Sequence, residues 1–125
     1  MYVADAHAWV HYLLGTLPEN LKGIFKRTEN FEEIIFLPTI ALTEIIWLAE
    51  KDRISVNIKE MIAKLEEPSN FIIVPLDFNL TKKMMEIKFG ELHDRIIIST
   101  AKMLDAVLIT KDEKITKSGL VKTIW

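Results

Sequence analysis

Four acidic residues of this sequence have the types and positions that suit one shared site: Asp5, Glu44, Asp94 and Asp112. Asp5 follows the apolar segment Tyr2–Ala4, and Asp112 follows Val107–Thr110; both segments have the pattern of short strands. In an open α/β sheet, ligands gather beyond the carboxyl ends of the strands, which makes both acids candidate site residues. Each also has a structural interpretation, because aspartate commonly caps helices and stabilises turns.

Glu44 lies on a predicted helix among apolar neighbours. The residues three and four positions away are Ile40, Ala41, Trp47 and Leu48. A carboxylate buried on such a face must be paired, protonated or bound to a cation, because burying an isolated charge is very costly. The alternative is that Glu44 lies at the edge of the apolar stripe, or pairs with one of the 16 lysines and arginines.

Asp94 precedes a predicted helix from Arg95 to Leu104 that is apolar on most of its surface. A helix N-cap is the ordinary interpretation of an aspartate at this position. In a doubly wound sheet, the same cap would direct the carboxylate towards the strand ends, where Asp5 and Asp112 are expected.

A cluster of these carboxylates would require a cation, because like charges repel. Hard oxygen ligands with open coordination positions favour Mg²⁺ or Mn²⁺. Such ions activate water and stabilise charge on a phosphodiester during in-line displacement. The four acids therefore predict a divalent-metal site suited to phosphodiester hydrolysis.

The elements that must position these acids alternate along the chain. The predicted strands are Tyr2–Ala4, Glu33–Leu37, Phe71–Val74, Val107–Thr110 and Val121–Ile124. The predicted helices are Ala6–Leu14, Glu19–Thr28, Thr39–Asp52, Asn57–Glu67, Leu80–Lys88 and Arg95–Leu104. Short, continuous apolar strands between helices indicate a mainly parallel sheet covered on both faces, a three-layer α/β/α fold. No repeat or linker interrupts it, so residues 1–125 form one domain.

Composition excludes several classes of protein. The 125 residues are 50% hydrophobic, which rules out disorder, and contain no cysteine, which excludes disulfides and thiol chemistry. No apolar run approaches the roughly 18 residues of a membrane helix, and no secretory signal is evident. We therefore expect a cytoplasmic protein without membrane contacts. Net charge is −2, but setting aside the four acids leaves 14 acids against 16 bases, a mildly basic remainder.

Other chemistry-bearing residues have weaker patterns. His7 and His11 have a spacing that can bind zinc, but the glutamate of the His-Glu-x-x-His motif is absent. Lys111 and Lys114 lie beside the proposed site and are candidate contacts to an RNA backbone, with a solvated helix face as the alternative.

Four segments carry a family resemblance: Val3–His7, Leu42–Glu44, His93–Ala101 and Leu108–Asp112. In order and spacing they resemble the PIN-domain ribonucleases, most closely the toxin nucleases of VapBC-type toxin–antitoxin pairs. The resemblance covers nearly the whole chain. One departure is Ala6-His7, where a small hydroxyl residue often follows the first aspartate in the family.

The resemblance implies a fold, an activity and partners. Asp5, Glu44, Asp94 and Asp112 would form the family's acidic metal site, supported by the hydroxyl of Thr110. The activity would be Mg²⁺- or Mn²⁺-dependent endonucleolytic cleavage of RNA, leaving a 3′-hydroxyl and a 5′-phosphate. Related toxins form homodimers and bind an antitoxin protein, and we expect both here.

Two alternatives remain open from the sequence. A phosphoacceptor signalling domain has a similar length and an acidic Mg²⁺ pocket, although such domains usually pair two acids after the first strand. Asp5 has no acidic neighbour, and Glu44 lies within a predicted helix. A PIN-like domain that acts in RNA processing, or that binds RNA without cutting it, is the second alternative.

Overall fold

The computed structural model describes residues 1–125 and contains five strands and seven helices. The strands are β1 (Tyr2–Ala4), β2 (Ile35–Pro38), β3 (Phe71–Val74), β4 (Val107–Ile109) and β5 (Thr123–Ile124). The helices are α1 (Ala6–Leu13), α2 (Glu19–Glu29), α3 (Thr39–Glu50), α4 (Ile58–Glu66), α5 (Phe78–Met84), α6 (Leu92–Met103) and α7 (Glu113–Ser118). The predicted three-layer α/β/α fold is confirmed.

All five strands are parallel and lie in the order β3-β2-β1-β4-β5. The chain adds β2 and β3 on one side of β1, then crosses to place β4 and β5 on the other. The strand order therefore reverses between β1 and β4. In an open α/β sheet, the crevice at such a switch point is where ligands bind.

The core lies on both faces of this sheet. Val3, Ala4, Leu108 and Ile109 of the two central strands are fully buried, as expected for strands covered by helices on both sides. Helix α6 packs against β1, β4 and α3, and its residues Ile96–Ala101 are all buried. The buried helix fixes the position of its own first turn, which carries Asp94.

Two helices begin at other residues than predicted and one helix was missed, while the bounds of the other helices differ by one or two residues. Helix α6 begins at Leu92, and its N-cap is Glu91, so the prediction that Asp94 caps the helix is wrong. Helix α5 spans Phe78–Met84 instead of Leu80–Lys88, because Asp77 accepts a hydrogen bond from Leu80 N and begins the helix earlier. Helix α7 was not predicted; it is six residues long, too short to show a clear apolar period.

Smaller differences affect three strands. Strand β2 starts at Ile35 and includes Pro38, β4 ends at Ile109, and β5 contains only Thr123 and Ile124. No helix of the structure combines the length and apolar character needed to cross a bilayer.

Candidate active site at the switch point of the sheet

Asp5 occupies the turn between β1 and α1. Its Oδ1 accepts a hydrogen bond from the Ala8 N–H at 2.7 Å and so caps α1. The side chain is buried, at 7% exposure, and burial raises the pKa of this carboxyl. The Thr110 hydroxyl and the Ala8 N–H act in the opposite direction and stabilise the ionised form. Both the cap and the site interpretation of Asp5 are thus compatible with its geometry.

Thr110 and Asp112 follow β4, the strand beside β1. The buried Thr110 Oγ1 accepts a hydrogen bond from the Asp112 N–H at 3.1 Å, which holds the turn after the strand. Asp112 Oδ1 accepts from the N–H groups of Lys114 and Ile115 at 2.7 and 3.0 Å, so Asp112 caps α7. Its Oδ2 accepts no hydrogen bond from the protein and remains available for a ligand.

Asp94 lies in the first turn of α6, at the same end of the sheet. Its N–H donates to the Glu91 carboxylate at 2.7 Å, while neither of its own carboxylate oxygens accepts a hydrogen bond from the protein. Burial, followed by the negative charges of Glu91, Asp112, Glu44 and Asp5, raises the pKa of Asp94 to about 6. The carboxyl is therefore surrounded by like charges and lacks a protein partner.

Glu44 lies on the second turn of α3, a helix that packs against both α1 and α6. Its side chain is half-buried, and Trp47 on the next turn is 47% exposed, so the apolar stripe around Glu44 is not fully covered. Of the two interpretations that the sequence left open, this exposure favours a position at the edge of the apolar stripe. Its carboxylate forms no ion pair, and its charge contributes to the raised pKa of Asp94.

A cleft of about 970 Å³ opens at this end of the molecule. Asp94, Glu91 and Asp112 line it, together with His7 of α1 and the Phe89-Gly90 segment. A further group of lining residues comes from α7 and the turn before it: Lys111, Glu113, Lys114 and Lys117. Asp5 and Glu44 do not line this cleft. The cleft thus combines four acidic residues with three lysines.

The donor chemistry of this end of the sheet fits a hard divalent cation, although no three Asp, Glu or His side chains are arranged to hold one. The free oxygens of Asp94 and Asp112 are the ligands that Mg²⁺ and Mn²⁺ prefer. A bound cation would also remove the repulsion that raises the pKa of Asp94. The fold brings the charges of the four acids together but does not bring their side chains to one point.

Glu91 is the site residue that the sequence analysis missed. Its charge is the largest electrostatic cause of the raised pKa of Asp94, and its carboxylate caps the helix that carries Asp94. The available signal was its position three residues before Asp94, where an acidic N-cap bonds to the third helical N–H.

The zinc interpretation of His7 and His11 is not supported by the geometry. His11 Nδ1 lies 2.7 Å from Thr16 Oγ1, and its Nε2 lies 3.4 Å from Lys111 Nζ, so both ring nitrogens have protein partners. His7 is exposed at the cleft. The phosphoacceptor alternative also loses support. Such domains phosphorylate an aspartate at the end of the third strand, but here β3 lies at the edge of the sheet, and β2 separates it from β1 and Asp5.

Comparison with known proteins identifies the fold and the family. A family model described as PIN domain matches residues 2–119. The toxin–antitoxin structure VapBC2 from Rickettsia felis, bound to a promoter DNA fragment, is similar at a TM-score of 0.70 and 18% identity, covering 98% of this chain and 96% of that chain. Curated proteins gave no significant match by sequence.

Two further solved structures share the fold. DNA-bound VapBC from Salmonella typhimurium has a TM-score of 0.72 and 16% identity, over 98% of this chain and 96% of that chain. VapC20 from Mycobacterium tuberculosis, described as a toxin that cleaves the sarcin–ricin loop, has a TM-score of 0.64 and 14% identity, over 98% of each chain. At these identities the likeness establishes the fold.

Proposed function

The chain belongs to the PIN-domain family, and on this basis we propose that it is a divalent-metal-dependent endoribonuclease and the toxin of a toxin–antitoxin pair. The observation that carries the proposal is Asp94. Its carboxylate has no hydrogen-bond donor, is surrounded by other acids, and lines a cleft that three lysines also line. This arrangement suits a metal ion near the acids and a polyanion near the lysines.

Each acid has a role in this proposal. Asp5 and Asp94 are the principal ligands for Mg²⁺ or Mn²⁺, and Glu44 and Asp112 complete the site and orient the attacking water. The ion, when bound, supplies activation of water and stabilisation of charge on the phosphate. Thr110 supports Asp5 through its hydroxyl, which favours the ionised carboxylate. Hydrolysis would leave a 3′-hydroxyl and a 5′-phosphate, as the family resemblance implies.

Lys111 and Lys114 are the proposed contacts to the RNA backbone. Both are exposed and line the same cleft as Asp94. Lysine ammonium groups bind phosphates as point charges, and a flexible single strand can adapt to them better than a rigid duplex can. We therefore expect single-stranded or looped RNA to be cut in preference to a perfect duplex; equal cutting of both under limiting enzyme would contradict this.

The decisive experiment compares two Asp→Asn variants in an RNA cleavage assay with Mg²⁺, with Mn²⁺ and with EDTA. Changes to residues that only support metal ligands already cost about 10- to 100-fold, so Asp94→Asn should reduce cleavage by at least about 100-fold. Asp105→Asn is the matched control, because Asp105 is exposed, lies outside the cleft and has φ 48°, a conformation that asparagine tolerates. Undiminished cleavage by folded Asp94→Asn, or cleavage by wild type in EDTA, would refute the proposal.

Homodimer formation and antitoxin binding are part of the same proposal. They are supported by large exposed apolar side chains that a monomer would leave in water: Trp47, Ile72, Ile73, Leu76, Phe78 and Met85. The similar structures from Rickettsia felis and Salmonella typhimurium are toxin–antitoxin complexes. Sedimentation should show a dimer, and a monomer at high micromolar concentration would contradict the dimer.

A further inference from the structure

A second cavity of about 330 Å³ lies beside α7, next to the cleft, with which it shares lining residues. Trp125 and Ile124 give it an apolar surface, and the hydroxyls of Thr116 and Thr123, which lie 3.1 Å apart, give it a polar one. Lys111 and Lys117 also line it. We call it the Trp125 cavity. It combines an aromatic ring, hydroxyl groups and the Lys111 ammonium group. Lys117 is paired there with Glu113 at 2.9 Å. None of the four candidate acids lines it.

Trp125 is held in place by charged and aromatic neighbours. The His11 ring meets it edge-on, with ring centres 5.4 Å apart, and Lys111 Nζ lies 5.8 Å from the centre of the indole ring. Lys111 Nζ also lies 3.4 Å from His11 Nε2. Because Nδ1 of His11 is 2.7 Å from Thr16 Oγ1, that ring is fixed from both sides. The indole is therefore oriented before any ligand arrives, which lowers the entropic cost of stacking against it.

The Trp125 cavity shares three lining residues with the acidic cleft. Lys111, Glu113 and Lys117 line both spaces. Thr110, whose hydroxyl stabilises the ionised form of Asp5, lines the Trp125 cavity. A strand with one phosphate in the cleft can thus pass Lys111 and place a neighbouring nucleotide against Trp125.

We propose that the Trp125 cavity binds one nucleobase of the RNA strand whose phosphate occupies the acidic cleft, with Trp125 as the stacking residue and Lys111 as the phosphate contact between the two spaces. This inference rests on the proposed function and adds a substrate-positioning site to it. Stacking on an aromatic ring is tolerant of base identity, since every base has a π-face. The site would therefore fix the register of the strand more than its sequence.

The test is a binding measurement that requires neither cleavage nor metal. Two fluorescently labelled probes of equal charge are compared by anisotropy in EDTA at low salt: an adenosine RNA octamer, and an octamer of the same ribose-phosphate backbone without bases. Wild-type protein should bind the octamer with bases about tenfold more tightly than the abasic one, which is within the usual range for one stacked base.

Two substitutions separate stacking from packing, because Trp125 also packs against the core. Trp125→Leu keeps an apolar side chain but removes the ring; it should weaken binding of the adenosine octamer about tenfold and leave the abasic octamer unchanged. Trp125→Phe should retain most of the preference for bases. Phe31→Leu removes an exposed aromatic ring at the opposite end of the sheet and should change neither affinity. Thermal melts confirm that each variant is folded.

The outcomes separate this inference from the proposed function. The Trp125 cavity is not a base site if Trp125→Leu weakens the binding of both octamers equally or of neither. The same conclusion follows if the folded wild type shows no preference for the octamer with bases. Each of these results would leave metal-dependent cleavage intact. Conversely, loss of base preference in Trp125→Leu would support the base site even if the wild-type chain failed to cleave RNA in the separate Mn²⁺ assay.

Discussion

Helix α1 joins two regions of the molecule, one stabilised by aromatic packing and the other destabilised by repulsion between carboxylates. Its N-cap, Asp5, belongs to the acidic site, whereas Trp9 and Tyr12 belong to an aromatic cluster with Phe25 and Phe71. In the cluster, Trp9 lies 4.7 Å from Tyr12 and 5.0 Å from Phe71 between ring centres. Such contacts stabilise the fold beyond the area that they bury.

The acidic site has the opposite energetic character. Burial raises the pKa of Asp5, and burial with surrounding negative charge raises that of Asp94, so both ionised carboxylates reduce the stability of the metal-free fold. Helix α1 links the two regions through Asp5, while the buried residues of α6 hold Asp94 near the other acids. A change in the aromatic cluster should therefore alter stability alone, and a change in the acidic site should alter function while stability is kept or improved.

Trp9→Ala gives the largest expected effect on stability. Trp9 is fully buried, so the free energy of unfolding should fall by about 3–5 kcal/mol, as for other large aromatic truncations. Trp9→Phe should cost much less, because it keeps the ring contacts and removes the indole N–H, which has no hydrogen-bond partner. Urea denaturation measures both. A Trp9→Ala protein as stable as wild type would show that the aromatic cluster does not hold the fold.

Asp94→Asn should stabilise the metal-free protein at neutral pH. The carboxyl has a pKa of about 6 in the fold against an ordinary 3.8, so at pH 7.5 it is charged in both states and its charge destabilises the fold. Because solvent screens this partly exposed group, the free energy of unfolding of Asp94→Asn should exceed that of the wild type by only about 1–2 kcal/mol.

The sign of this effect can be checked by lowering the pH in EDTA. Below about pH 6 the folded wild type takes up the proton while the unfolded chain does not, so the wild type gains stability as pH falls towards 3.8. The advantage of Asp94→Asn measured by urea denaturation should therefore shrink between pH 7.5 and pH 5. A difference that is the same at both pH values would show that the fold does not raise the pKa of Asp94.

Glu91 links the two kinds of effect in one residue, as a helix cap and as a repelling charge. Glu91→Gln keeps an oxygen that can accept a hydrogen bond from the Asp94 N–H, whereas Glu91→Ala removes it. The glutamine variant should therefore be more stable than the alanine variant by about 1 kcal/mol. Both variants should lower the pKa of Asp94, because both remove the largest charge acting on it. Urea denaturation and NMR titration of the Asp94 carboxyl test these results. An unchanged pKa in both variants would contradict the electrostatic role.

Lys114→Gln gives the smallest expected effect. If Lys114 contacts one phosphate, the slope of log affinity for single-stranded RNA against log salt should decrease in magnitude by about 0.7. Lys26→Gln is the matched control, because Lys26 is an exposed lysine of α2 outside the cleft. Anisotropy across a salt series measures both slopes, and identical changes in the two variants would mean that Lys114 acts only through net charge.

The sequence predicted the parts of this protein that depend on local pattern. The apolar runs at Tyr2–Ala4 and Phe71–Val74 are strands with the predicted bounds, and the alternation of strands with helices was sufficient for the three-layer fold. Asp5 and Asp112 could be identified as candidates because each follows a strand that the pattern makes visible. Helix α7 and the start of α6 were missed or misplaced, since capping by Glu91 and Asp112 decides them and both caps act over only three residues.

Only the tertiary structure decided how the candidate residues relate to one another. The place of β1 beside β4 brings Asp5 and Thr110 together across more than 100 residues of sequence, and no local pattern encodes which strands pair. The same packing leaves Glu44 half-buried and gives Asp94 its raised pKa, because both depend on charges and atoms contributed by other elements. It also places Trp125 against Lys111 and His11, a juxtaposition that arises only when β4, β5 and α1 meet at one end of the sheet.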